Sequence, residues 1–77
     1  MITGSQVRAA KALIRWSGFD LSQKSGVSLS TIRRIEAVDG LPDSASVKLL
    51  HAIQQALEEG GVEFIGTPDH QPGVRLK

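Results

Sequence analysis

Two adjacent arginines, Arg33 and Arg34, come near the end of the stretch SGVSLSTIRRIE (Ser25 to Glu36), and Ser28, Leu29, Ser30 and Thr31 stand just before them. A guanidinium is a planar fork of donors that suits phosphate oxygens or the O6 and N7 acceptors of guanine. The hydroxyls of Ser30 and Thr31 can meet a base edge or a phosphate, with helix-start capping as the plainer role. Leu29 has no donor and offers only methyl groups, which suit the methyl of thymine. The plain alternative for the arginines is a solvated charge pair, and the elements that carry them decide between the two.

Nothing else in the chain assembles reactive chemistry. His51 and His70 lie far apart and share no cysteine, histidine or carboxylate pattern at ligand spacing, so neither metal nor cofactor is expected. No Ser-His-Asp arrangement, paired carboxylates or phosphate-cradling loop is present, and an enzyme is not expected. There is no cysteine, hence no disulfide framework, which fits a reducing compartment. No apolar run approaches the roughly 20 residues that span a bilayer. The opening MITGSQVRAAKALIRW lacks the apolar core and cleavage pattern of a secretory signal. Its basic, amphipathic character is shared with transit peptides, but removing it would leave too little core. A cytoplasmic protein without membrane contact is the expectation.

The charge is unevenly placed. Arg8, Lys11, Arg15, Lys24, Arg33 and Arg34 against Asp20, Glu36 and Asp39 give residues 1–40 a net charge of +3, whereas residues 41–77 carry −2. Such asymmetry points to a polyanion met by one face. With 77 residues and only Trp16, Phe19 and Phe64 as aromatics, the chain can form one small domain with an aliphatic core.

The positioning elements follow from breakers and periodicity. Thr3-Gly4-Ser5-Gln6 reads as a capping box, followed by a stripe of Val7, Ala10, Leu13 and Ile14, with Trp16 as a lid on the core. Ser17 suits the cap of a second, short helix to about Ser25, with Asp20 at its third position and Leu21 inward. Gly26 suits a turn that needs positive φ, Val27 faces inward, and Ser28 can cap a third helix in which Ile32 and Ile35 are one turn apart. Asp39-Gly40-Leu41-Pro42 is a loop in which glycine ends the helix. Asp43 or Ser44 then caps a fourth helix with Val47, Leu50, Ile53 and Leu57 inward, stopped at Gly60-Gly61. VEFIG and GVRLK form a hairpin around the loop Thr67 to Pro72, each strand with one apolar face. Two short helices joined by a glycine turn match the helix-turn-helix unit, with a small helical bundle as the alternative. In the former, Leu29, Ser30, Arg33 and Arg34 point outward on the part of the third helix that enters a major groove.

The run WSGFDLSQKSGVSLSTIRRIEAVDGLP resembles the Xre family of Cro-like and phage-repressor-like regulators. Ser17, Leu21, Gly26, Val27, Ser28, Ile32, Ile35, Glu36, Gly40 and Pro42 match its pattern, and the likeness covers residues 5 to about 60. The resemblance implies a mainly α, four- to five-helix repressor-like domain over 1–60 (helix-turn-helix 17–36), sequence-specific binding of double-stranded DNA, and a homodimer. It implies contacts to DNA from Ser17, Ser28, Leu29, Ser30, Thr31, Arg33 and Arg34, and a structural pair between Lys11 and Glu36. Gly18 departs from the pattern where relatives often carry a phosphate-holding glutamine. Leu29 departs where they often carry a polar base-reading residue, and Ser22 replaces a common alanine.

A transcriptional regulator, acting by occupancy and more in keeping with a repressor, is the reading these residues favour. The alternative is a protein-interaction module such as an antitoxin whose main partner is a toxin. Residues 61–77 are the expected dimerisation element: the hairpin would pack on the fourth helix and pair its edge with a second copy. Arg8, Arg15 and Lys24 are read as solvated charges, though any of them could approach a DNA backbone.

Overall fold

The computed structural model describes residues 1–43 and 45–77. Four helices are followed by a two-stranded antiparallel hairpin: α1 Gly4–Leu13, α2 Gly18–Ser25, α3 Leu29–Glu36, α4 Val47–Glu59, β1 Val62–Thr67 and β2 His70–Leu76.

The first helix starts where the capping box puts it. Thr3 Oγ1 accepts from the Gln6 amide at 3.1 Å, and Gln6 Oε1 accepts from the Thr3 amide at 2.8 Å. The next free amides of this helix end, Gly4 and Ser5, donate to the carbonyls of Gly40 and Asp39 at 2.9 and 3.3 Å. The loop after α3 therefore supplies the acceptors that a buried helix start requires. Arg8 belongs to the same junction. It is exposed, as expected of a solvated charge, but has fixed partners: it donates to the carbonyls of Glu36 and Val38 and pairs with Asp39 at 2.6 Å. A cation on those carbonyls completes the C-terminal end of α3 and ties it to α1.

The α1–α2 turn is a Schellman motif, with the Trp16 amide on the Lys11 carbonyl at 2.9 Å and the Arg15 amide on that of Ala12 at 3.3 Å. Arg15 occupies its left-handed position with φ 59°, where a side chain costs about 1–2 kcal/mol. Arg15→Gly is therefore expected to raise stability by about 0.5–1 kcal/mol, after the greater freedom of glycine in the unfolded chain is counted. A shift of the urea midpoint at constant slope would measure it.

The core is aliphatic throughout. Ile2, Val7 and Ala10 meet Leu21, Val27, Ile32 and Ile35 from the middle of the chain, and Leu50, Ile53, Ala56, Leu57 and Val62 from its second half. Ile14 and Trp16 pack at its margin, the tryptophan as the expected lid. Two expected core residues lie outside. Leu13 is 40% exposed because it falls about 100° around α1 from Ile14. Val47 is 65% exposed. As the first residue of α4, its side chain tilts past the helix start rather than onto a preceding turn. The α4 cap is Ser46, whose Oγ accepts from the Leu49 amide at 3.1 Å; it is not Asp43, and Ser44 lies outside the described residues. Likewise α3 ends at Ala37 in ordinary helical conformation, before Gly40 is reached.

The hairpin is longer than the sequence suggests. Its strands extend to Thr67 and from His70, so the expected six-residue loop shrinks to Pro68-Asp69, with a register slip between Ile65 and Thr67. Val62 pairs with Leu76, Phe64 with Val74, and Glu63 with Arg75, whose guanidinium holds the Glu63 carboxyl below its ordinary pKa through a bidentate bond. β1 lies against α4 as expected, but β2 lies against α1. Gln6 makes that second contact specific: its Nε2 donates to the carbonyls of Ile65 and Gly73 at 3.3 and 3.0 Å. The inward face is only partly apolar cover, since Val62 is buried and Leu76 is 57% exposed. Lys77 donates through Nζ to the Glu58 carbonyl at 2.7 Å and so closes the C-terminal end of α4, whose last turn has no basic residue of its own.

Candidate nucleic-acid interface

Two eight-residue helices, α2 and α3, carry the residues singled out by chemistry. Ser17 caps α2: its Oγ accepts from the Asp20 amide at 3.0 Å while the Asp20 carboxylate accepts from the Ser17 amide at 2.9 Å. The Ser17 amide that donates to the carboxylate, and after it the Ser17 hydroxyl beside it, lower the Asp20 pKa from its ordinary value. Gly26 closes α2 with φ 77°, a conformation that favours glycine. Ser22, at a position where the resemblance expects alanine, pins the turn that follows, donating from Oγ to the Val27 carbonyl at 2.7 Å. With Val27 and Leu21 buried beneath it, the turn fixes where α3 begins.

Ser28 caps α3, accepting from the Thr31 amide at 3.3 Å. Its hydroxyl also lies 2.9 Å from Thr31 Oγ1, which in turn accepts from Arg34 Nη2 at 3.3 Å. Ser28, Thr31 and Arg34 thus line one ridge three residues apart, and Ser30 and Arg33 line the next. Ile32 and Ile35 are buried on the opposite side, which leaves Ser30, Arg33 and Arg34 exposed together. Leu29 departs from the outward set: it is half-buried, and its Cδ1 lies 2.9 Å from where a Cβ on Gly18 would stand.

Lys11 and Glu36 form the structural pair, 2.9 Å apart with side chains 16% and 14% exposed. They tie α1 to the last turn of α3, beside the Arg8 clamp, and so fix its C-terminal end, while the Ser22 bond to the Val27 carbonyl holds the turn before its start. Replacing either partner alone strands the other's charge at a largely covered site. A double-mutant cycle with Lys11→Met and Glu36→Leu is expected to show coupling of about 1 kcal/mol, the double variant being more stable than the single effects add up to.

These pairings sharpen the charge map. Arg8 and Lys11 are neutralised by Asp39 and Glu36. Among the described residues, Arg15, Lys24, Arg33 and Arg34 form no ion pair. Lys24 is offset by Asp20 on the same helix, so the surplus positive charge of residues 1–40 sits on the α1–α2 turn and α3. His51 and His70 are exposed, and among the described residues no group of three or more histidine, cysteine, aspartate or glutamate side chains is placed to hold a metal ion. A shallow cleft lined by Trp16, Lys24, Ala56, Glu59 and Gly60 includes no residue of α3. No helix among the described residues is long and apolar enough to cross a membrane. The chain matches no protein-family model, and a search of curated proteins finds no match.

Proposed function

We propose that the protein is a sequence-specific binder of double-stranded DNA, a transcriptional regulator of repressor type, with α2 and α3 as its helix-turn-helix. The observation that carries the reading is the exposed face of α3. It carries two arginines that, among the described residues, have no carboxylate partner, beside three hydroxyls, on a helix held at its end by Lys11 and before its start by Ser22. A helix of this width enters the major groove of B-DNA, and its N-terminal half meets base edges there. In this reading Arg34, with Arg33 beside it, forks onto guanine. Ser30 and Thr31 meet a base edge or phosphate. Ser17 and Ser28 hold the two helix starts near the DNA backbone.

One such module reads few base pairs, so two copies on a two-fold site follow from the same reading. The hairpin is the element we assign to that pairing: its outer strand edges have no neighbour in the sheet, and Leu76 stands exposed at one of them. Deleting residues 62–77 would not isolate this role, because Val62 is part of the core and Gln6 is anchored on the strands. Leu76→Lys keeps both. It is expected to shift the chain from dimer to monomer in light scattering, with the fold intact by circular dichroism and the melting temperature no longer dependent on protein concentration. A wild-type chain that is monomeric at high concentration would remove the hairpin from dimerisation.

The test of the reading is selection of bound sequences from a random duplex pool at low salt. Enrichment of a two-fold symmetric site is expected. A pool that stays random would overturn DNA recognition and leave the alternative, a module whose partner is another protein.

A further inference from the structure

We propose that Leu29 and Gly18 form one unit that recognises the C5-methyl group of a pyrimidine in the major groove. The inference rests on the DNA reading above and goes beyond it by naming a base feature and the pair of residues that selects it. Leu29 is the first residue of α3 and Gly18 the first of α2, so the two helix starts meet at this pair. A Cβ on Gly18 would stand 2.9 Å from Leu29 Cδ1 and 3.8 Å from Lys11 Nζ. A residue without a side chain leaves that space to the leucine, with Lys11 Nζ, paired to Glu36, at its margin. Leu29 is half-buried with its Cδ1 beside Gly18, and the exposed Ser30 stands next to it in the chain and the exposed Arg33 one turn further along α3.

The chemistry of that corner is restrictive. Its neighbours on α3 offer hydroxyl and guanidinium groups, whereas Leu29 offers only methyls. A base edge set against it loses hydration of any amino or carbonyl group without a return bond, but a C5-methyl gains an apolar contact. Thymine and 5-methylcytosine both carry that methyl, and cytosine and uracil do not. The two departures at positions 18 and 29 are therefore one feature: absence of a side chain at the first makes room for the apolar side chain at the second.

The test uses the full chain and the duplex obtained by selection. Each thymine is replaced in turn by deoxyuridine, and each cytosine by 5-methylcytosine, with binding followed by fluorescence anisotropy. At one position per half-site, loss of the methyl is expected to weaken wild-type binding about three- to tenfold, of the order that one buried methyl contributes. If that position holds cytosine, methylation is expected to strengthen binding by a similar factor, which identifies 5-methylcytosine as the source. Leu29→Ala should bind the methylated and unmethylated duplexes equally. Gly18→Ala should lose the same discrimination while its fold stays intact, since alanine is the better helix former and only the leucine is displaced. Equal binding of all substituted duplexes by the wild type would overturn the inference while leaving DNA recognition in place. Discrimination that survives in Leu29→Ala would do the same. A pool that yields no enriched site overturns both readings together.

Discussion

Gln6→Leu is expected to destabilise the protein by about 3 kcal/mol, a large share of the total for so small a domain. Gln6 is 5% exposed and its side chain does two things at once. Its Oε1 satisfies the buried Thr3 amide, and its Nε2 reaches two hairpin carbonyls 59 and 67 residues away in sequence. Leucine keeps the volume but leaves a buried amide without an acceptor and removes the side chain that links α1 to the strands. Each buried group left unpaired costs about 1–3 kcal/mol. Gln6→Glu separates the two functions. A carboxylate still accepts from Thr3 but faces the carbonyls of Ile65 and Gly73 with negative charge. Burial and those oxygens raise the new carboxyl's folded pKa above its unfolded value, so the variant is expected to lose stability, relative to wild type, as pH rises above about 4.3. Urea denaturation of both variants across that range measures the effect. Parallel curves for Gln6→Glu and wild type would mean that the hairpin does not depend on this bond.

Arg34→Ala is expected to cost about 1–3 kcal/mol in binding to the selected site, and to relax the preference at one base pair rather than lower affinity uniformly. The geometry supports a localised effect. Arg34 is exposed, it donates to Thr31 Oγ1, and among the described residues no carboxylate competes for the guanidinium. Its removal leaves the core side chains Ile32 and Ile35 untouched, so the melting temperature should hold. A guanidinium that only met phosphate would instead weaken all duplexes alike and lower the salt dependence of binding. Unchanged affinity in a folded Arg34→Ala variant would remove this residue from the interface.

What the sequence made legible were features encoded within a few residues. The capping boxes at Thr3 and Ser17, the cap at Ser28 and the positive φ of Gly26 all depend on local chemistry, and each stands where the pattern put it. The Lys11–Glu36 pair came from a resemblance and is present. Contacts made through the backbone were not legible. Arg8 reads as one more surface cation until the carbonyls of Glu36 and Val38 are brought to it, and a carbonyl has no signature in sequence. Gln6 shows its capping role but not its reach to the hairpin. Asp43, Ser44 and Ser46 offer the same capping chemistry before α4, so composition alone could not choose among them. His70, Gln71 and Pro72 are poor strand formers, and pairing with β1 overrides that preference. At the candidate interface, the outward arginines were legible from helical spacing. The seating of Leu29 on Gly18 was not, because it depends on how two helix starts meet.

The claim that α3 presents the DNA-binding face can be tested most directly by mapping amide chemical shifts. Isotopically labelled protein is titrated with the selected duplex, and every backbone amide is followed. The expected result is a perturbed surface spanning Ser28 to Arg34 and the start of α2 at Ser17 and Gly18, with the largest changes at Ser30, Thr31 and Arg34. Shifts confined to α4 or the hairpin, with α3 unmoved, would contradict it.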